Sequence, residues 1–177
     1  CLMSMIRVLL VDDHAVVRTG LSFFLSTTDD IEVVGEAADG EQAVQLCEQL
    51  RPDVVLMDMV MPRMDGFTAM QQIRQRTPNV RILALTSFLE GDLVQRALQA
   101  GASGYLLKDV QAHDLAQAIR ATYAGRSTLA PEATQALIQM VAQPTHPLEA
   151  LSERELEVLT RMTNGLSNGE IAAELNI

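Results

Sequence analysis

The 177-residue sequence is poor in cysteine, in lysine and in long apolar runs, and each shortage excludes something. Its two cysteines, Cys1 and Cys47, have neither the spacing of a zinc site nor the pairing of a disulfide framework. Such usage suits a reducing compartment, and a cytoplasmic location is expected. No apolar stretch approaches the roughly 18 residues of a membrane span, and the N-terminus lacks the basic-then-apolar layout of a secretory signal. A soluble protein with no membrane association is therefore expected, with Met3 or Met5 as the native start. Basic residues number 13 against 23 acidic ones, a formal charge of −10. A body of that sign does not clamp nucleic acid, so any DNA binding has to come from a local feature. Lys108 is the only lysine. There is no internal repeat, no low-complexity tract and no G-x-x-x-x-G-K-[ST] string for cradling nucleotide phosphates.

What is present is a 48% apolar composition, enough for a core without staples. From Ile6 to about Gly125, short apolar runs alternate with amphipathic stretches. The runs are "IRVLLV" (6–11), "IEVVGEA" (31–37), "DVVLM" (53–57), "VRILALT" (80–86) and "GYLLK" (104–108). Most are almost continuously apolar, as strands buried on both faces are. Helical spacing lies between them, for instance at Val17, Leu21, Phe24 and Leu25. Five such units predict an α/β domain with a five-stranded parallel sheet, right-handed crossovers and helices on both faces. In 126–147, Pro131 is placed to open a helix and Pro144 and Pro147 to end it, which predicts a linker with one helix. In 148–177, Ser152 with Glu155 and Ser167 with Glu170 are capping-box pairs that announce two successive helices.

In an open parallel sheet, ligands bind outside the carboxyl ends of the strands. The first run ends in Asp12 and Asp13, the third in Asp58, the fourth in Thr86 and the fifth in Lys108. One such residue after a strand is ordinarily a turn or capping residue. Turn chemistry does not account for all five together. If the strand order is 2-1-3-4-5, strands 1 and 3 are neighbours and three carboxylates share one crevice. At an effective dielectric near 20, each pair about 5 Å apart repels by roughly 3 kcal/mol, so the cluster needs a cation. Oxygen-only ligands favour a hard ion, and Mg²⁺ fits better than zinc. Three carboxylates, one divalent cation and the Lys108 ammonium sum to zero charge. Such a site suits phosphoryl transfer to a carboxylate, with Asp58 as nucleophile and Asp12 and Asp13 holding the ion. His14, in the first turn of a helix, reads as a solvated surface residue rather than a ligand. Gly66, Gly101 and Gly104 read as turn and C-cap glycines.

At these residues the chain resembles a known family. "VLLVDDH", "LMDMVMPRMDG", "LALTS" and "GYLLKD" resemble the receiver domain of two-component response regulators, in order and separation. "LSERELEVLTRMTNGLSNGEIAAELNI" resembles the start of the four-helix LuxR-type DNA-binding domain, so the whole is similar to a NarL/FixJ-type transcriptional regulator. The resemblance implies a flavodoxin-like receiver over 6–125, a linker over 126–147, and a truncated helix-turn-helix domain over 148–177 whose recognition helix is not among these residues. It implies Asp58 as phosphoacceptor, and Asp12, Asp13, Asp58 and the Val60 main-chain carbonyl as Mg²⁺ ligands. Thr86 and Lys108 would contact the phosphoryl group, and Tyr105 would move inward with Thr86. A sensor histidine kinase partner, homodimerisation on phosphorylation, and DNA binding by the full-length protein follow from the same resemblance, as does a signalling role rather than that of an enzyme. Asp109 follows Lys108 where many receivers have proline. A haloacid-dehalogenase-like phosphatase also uses an aspartyl phosphate, but it wants a second Asp two residues after the first, where this chain has His14. A receiver that only shuttles phosphate is disfavoured by the capping boxes at the C-terminal end.

Overall fold

The computed structural model describes residues 5–87 and 91–142. The chain divides into two compact units, Cys1–Met140 and Val141–Ile177, and the first holds the sheet and its helices. The capping boxes and helix pair expected in 148–177 lie outside the described residues.

The apolar runs form parallel strands: β1 (Ile6–Val11), β2 (Ile31–Ala37), β3 (Val54–Asp58), β4 (Arg81–Thr86) and β5 (Gly104–Leu107). They alternate with α1 (Ala15–Leu25), α2 (Gly40–Leu50), α3 (Gly66–Arg76), α4 (Gly91–Ala100) and α5 (Ala112–Tyr123). Every residue of β3 is buried, and its apolar run Val54–Met57 is what a central strand covered on both faces requires. β2, at the sheet edge, is half exposed, and its register with β1 shifts between Val8 and Leu9. The sheet corrects the expected count of five strands to six, in the order β2-β1-β3-β4-β5-β6. The sixth, β6 (Thr128–Leu129), falls in the stretch read as a linker and pairs with Gly104 and Tyr105. It leads into α6 (Pro131–Ala142), the helix that Pro131 was expected to open.

The chain leaves β1 in one direction, to β2, and leaves β3 in the other, to β4. Right-handed crossovers then put α1 on one face and α2 on the other, where α2, α3 and α4 pack side by side. The order therefore reverses between β1 and β3, and a crevice opens outside their carboxyl ends. Local chemistry sets where the helices start. Asp39 caps α2 by accepting from the Gln42 N–H at 2.9 Å, and Asp65 caps α3 by accepting from the Thr68 N–H at 2.8 Å. Gly66 opens α3 so close to the end of β3 that an added Cβ would stand 2.3 Å from the Asp58 carbonyl oxygen. The closeness of helix to strand is what demands glycine there. Cys47 is buried, and burial pushes its thiol pKa up to about 12, which makes it a packing residue.

Arg120 of α5 ties to Asp30, after α1, through two hydrogen bonds of 2.7 Å each. The Arg120 hydrogen bond holds the Asp30 carboxyl below its ordinary value of 3.8. A lowered carboxyl pKa contributes stability above the ordinary value, and that contribution is lost as pH falls through the folded value. The pair is too exposed for a large effect, so Arg120→Ala is expected to cost about 0.5–1 kcal/mol at pH 7. Urea unfolding should show the deficit fading below pH 3.8; a deficit unchanged in acid would detach it from the ion pair.

Candidate functional site

β1 and β3 pair in register up to Val11 and Met57, so the next residues, Asp12 and Asp58, stand side by side where the order reverses. Both are buried, Asp12 at 2% and Asp58 at 4% relative exposure. Two anchors hold this end of β1. The Asp12 N–H donates to the Ala37 carbonyl at 3.1 Å, and Arg18 Nη1 donates to the Asp12 carbonyl at 2.6 Å. Asp58 Oδ1 accepts from the Val60 N–H at 3.3 Å, which turns the chain away from β3.

Lys108 follows β5, where its N–H donates to the Thr86 carbonyl at 2.8 Å. Its ammonium reaches across β4 to donate to Asp58 Oδ2 at 2.7 Å and lies 2.6 Å from Asp12 Oδ2. Burial pushes the Asp58 carboxyl above its ordinary pKa and the nearby Asp12 charge adds to the rise, while Lys108 and the Val60 N–H oppose it without cancelling it. Burial works against the Lys108 ammonium, but its close pairing with Asp12 and Asp58 outweighs that and holds its pKa above the ordinary 10.5.

One cation does not balance this crevice. Asp12, Asp13, His14 and Asp58 each offer a ligand atom, and these four atoms all lie within 4.8 Å of one another. Asp12 Oδ2 and Asp13 Oδ1 are buried yet accept no hydrogen bond. They are met only by ion-pair approaches, from Lys108 Nζ at 2.6 Å and His14 Nδ1 at 2.9 Å, without the angles of a hydrogen bond. Three carboxylates and one ammonium leave two negative charges, which a divalent cation neutralises. Carboxylate oxygens in this number fit Mg²⁺.

The structure thus brings Asp12, Asp13, Asp58 and Lys108 together. Thr86 closes β4 beside them and is fully buried, and Tyr105 of β5 is fully buried as well. Val60 is exposed, with its backbone N–H on Asp58. Three features were missed by sequence reading. His14 is 67% exposed, as expected of a surface residue, yet its Nδ1 faces Asp13 and Asp12. Arg63, in the loop after β3, has a positive φ of 66° and pairs with the buried Asp39 at the start of α2. Arg18 holds Asp12 from the first turn of α1, at a helical spacing from His14 that is the one signal the sequence offered. A groove of about 970 Å³ lies between α5 and the turn from β6 to α6, and Asp12, Asp13 and Asp58 do not line it.

A doubly wound parallel sheet with acids outside strands 1 and 3 and a lysine after strand 5 defines a flavodoxin-like receiver. Residues 8–120 match the response regulator receiver domain family, and residues 149–177 match the luxR family of bacterial regulatory proteins. The chain belongs to the response regulators of two-component systems and joins a receiver to a LuxR-type DNA-binding region. It is 45% identical over 172 residues to response regulator protein VraR of Staphylococcus aureus, covering 97% of this chain and 82% of that one. It also resembles the crystal structure of a LuxR-family response regulator from Aurantimonas sp. SI85-9A1, with 36% identity and a TM-score of 0.75 over 79% of this chain and 100% of that one. A structure of two RcsB dimers bound to two parallel DNAs matches with 27% identity and a TM-score of 0.74, over 98% of this chain and 84% of that one. Among the described residues no helix is long and apolar enough to cross a membrane.

Proposed function

We propose that this response regulator accepts a phosphoryl group on Asp58 from a partner sensor histidine kinase, and that the modified receiver promotes dimerisation and, in the full-length protein, DNA binding. The observation that carries the reading is a buried Asp58 carboxylate at the switch point, 2.7 Å from an ammonium and beside the carboxylates of Asp12 and Asp13. An oxygen of Asp58 attacks phosphorus, a P–O bond forms, and the bond from phosphorus to the donor's leaving group breaks with its electron pair going to that group. The carboxylate carries no proton to remove, so no general base is involved. Asp12, Asp13, Asp58 and the Val60 carbonyl would hold Mg²⁺, which when bound offsets charge on the phosphoryl oxygens. Lys108 follows the phosphoryl group on its flexible stem, and the Thr86 hydroxyl donates to a phosphoryl oxygen, with Tyr105 repacking beside it. The protein acts as a phosphoacceptor in the cytoplasm rather than as an enzyme with a separate substrate. The RcsB dimers on DNA support the output step, and the receiver over 6–125, linker over 126–147 and DNA-binding region from 148 are the parts that carry it.

Beryllofluoride, an acyl-phosphate mimic, tests the site directly. With Mg²⁺ it is expected to shift the amide resonances of Val60, Thr86 and Lys108; shifts confined to other parts of the domain would remove Asp58 from the role. Thr86→Ala is expected to label at the wild-type level yet dimerise weakly, because a ligand moves an equilibrium only by its differential affinity for two states. Equal dimerisation of Thr86→Ala and wild type, measured by analytical ultracentrifugation, would take Thr86 out of the switch.

A further inference from the structure

His14 occupies the N-cap of α1, the position where Ser, Thr, Asp or Asn ordinarily accepts a hydrogen bond from the first turn, yet its side chain makes no capping bond. The ring turns to the acidic crevice instead. Its Nδ1 stands 2.9 Å from Asp13 Oδ1 and 3.2 Å from Asp12 Oδ1. The backbone fixes the ring's origin, since the His14 N–H donates to Asp12 Oδ1 at 2.8 Å and the His14 carbonyl accepts from Val17 and Arg18 in the first turn.

The 3.2 Å contact is a hydrogen bond and the 2.9 Å one an ion pair, and both spacings also fit neighbouring ligands on one ion. In an octahedron with ligands at about 2.1 Å, adjacent donors stand about 3.0 Å apart and opposite ones about 4.2 Å apart. The Nδ1 separations match the first distance, and the 4.8 Å limit on all four donor atoms comes within a small closure of the second. Asp13 Oδ1, buried without a hydrogen bond, and the Nδ1 that faces it could then serve as two adjacent donors to an ion.

We propose that His14 is a side-chain ligand of the cation site and gives it a nitrogen donor, shifting its preference from Mg²⁺ toward first-row transition ions, of which Mn²⁺ is the spectroscopic probe. The inference rests on the cation site of the preceding section and adds the residue that sets its selectivity. Imidazole nitrogen is a poor partner for hard Mg²⁺ and a better one along the first-row transition series, least for Mn²⁺ and increasingly toward Ni²⁺, whereas carboxylates suit Mg²⁺ and Mn²⁺ alike. The ring is exposed and does no capping, so replacing it leaves the fold in place.

The test is Mn²⁺ titration of the full chain, followed by electron spin-echo spectroscopy of the bound ion, in wild type, His14→Gln and Asp13→Asn. Wild type is expected to show coupling to an imidazole nitrogen that is absent from His14→Gln. Its Mn²⁺ affinity should exceed that of His14→Gln by about 10-fold or more. Mg²⁺ affinity, read by competition, should change less than about threefold. Asp13→Asn should lose both ions. Bound Mn²⁺ without nitrogen coupling in wild type, or an equal loss of both ions in His14→Gln, would overturn the role of His14 and leave the carboxylate site standing. Failure of wild type to bind Mn²⁺ and Mg²⁺, or binding indifferent to Asp13→Asn, would overturn the cation site and this inference together.

Discussion

Replacing Asp58 by asparagine is expected to lower Mg²⁺-dependent labelling by a small acyl phosphate more than about 100-fold, because the amide cannot supply the attacking oxygen. The substitution is nearly isosteric, and Lys108 keeps Asp12 as a partner 2.6 Å away, so the loss reads out chemistry rather than unfolding. Asp13→Asn is expected to act differently. It leaves the nucleophile in place and removes the carboxylate whose buried Oδ1 accepts no hydrogen bond, so labelling should fall about 10-fold to 100-fold at limiting Mg²⁺ and recover partly when the ion is raised. Label retained at the wild-type level in Asp58→Asn, located by peptide mapping, would move the acceptor to another residue. Equal ion dependence in Asp13→Asn and wild type would detach Asp13 from the cation.

The sheet was legible because burial on two faces writes itself as an unbroken apolar run. Ile6–Val11 follows from its apolar run alone, the run at 53–57 stands one residue before β3 (Val54–Asp58), and the run at 31–37 matches β2 even though its Glu32 and Glu36 face outward. β6 was not legible. Two residues carry no period, and Thr128 and Leu129 pair with β5 because Gly104 lets the strands approach: a Cβ there would stand 2.5 Å from the Thr128 carbonyl. The crevice was legible for a different reason. Strand ends and strand order fix where a residue's Cα lies, so Asp12, Asp58 and Lys108 converge whatever their side chains do. His14 and Arg63 depend on what sequence does not encode locally. One turns on the extended backbone of an N-cap and a rotamer, the other on a left-handed φ and an acid 24 residues away. Both lie in loops after strands, where direction is set by the tertiary neighbours.

Lys108 has a second duty that its removal should expose. Its ammonium is the cation between Asp12 and Asp58, all three largely buried. Lys108→Met keeps most of the apolar stem and deletes the charge, leaving two neighbouring buried carboxylates unpaired. Breaking a buried ion pair from one side costs about 3–5 kcal/mol, and an effect near 3 kcal/mol is expected at pH 7. The pH dependence follows from the two shifts. Lys108 is held above its ordinary 10.5, so its contribution is complete below that value and is lost as pH rises through the folded value. Asp58 is raised above its ordinary 3.8, so its ionised form is a cost at neutral pH that disappears as pH falls through the raised value. Lys108→Met should therefore regain stability on acidification, and also on adding Mg²⁺, while losing the alkaline decline that wild type shows. Asp58→Asn removes the cost without breaking the contact of Lys108 with Asp12, and should be about 1 kcal/mol more stable than wild type at pH 7. The double variant should recover much of what Lys108→Met loses, since the two residues share one interaction. Urea unfolding of the four proteins at pH 7, with and without Mg²⁺, measures that coupling; Lys108→Met as stable as wild type, or strictly additive effects in the double variant, would show that the lysine does not hold the two carboxylates together.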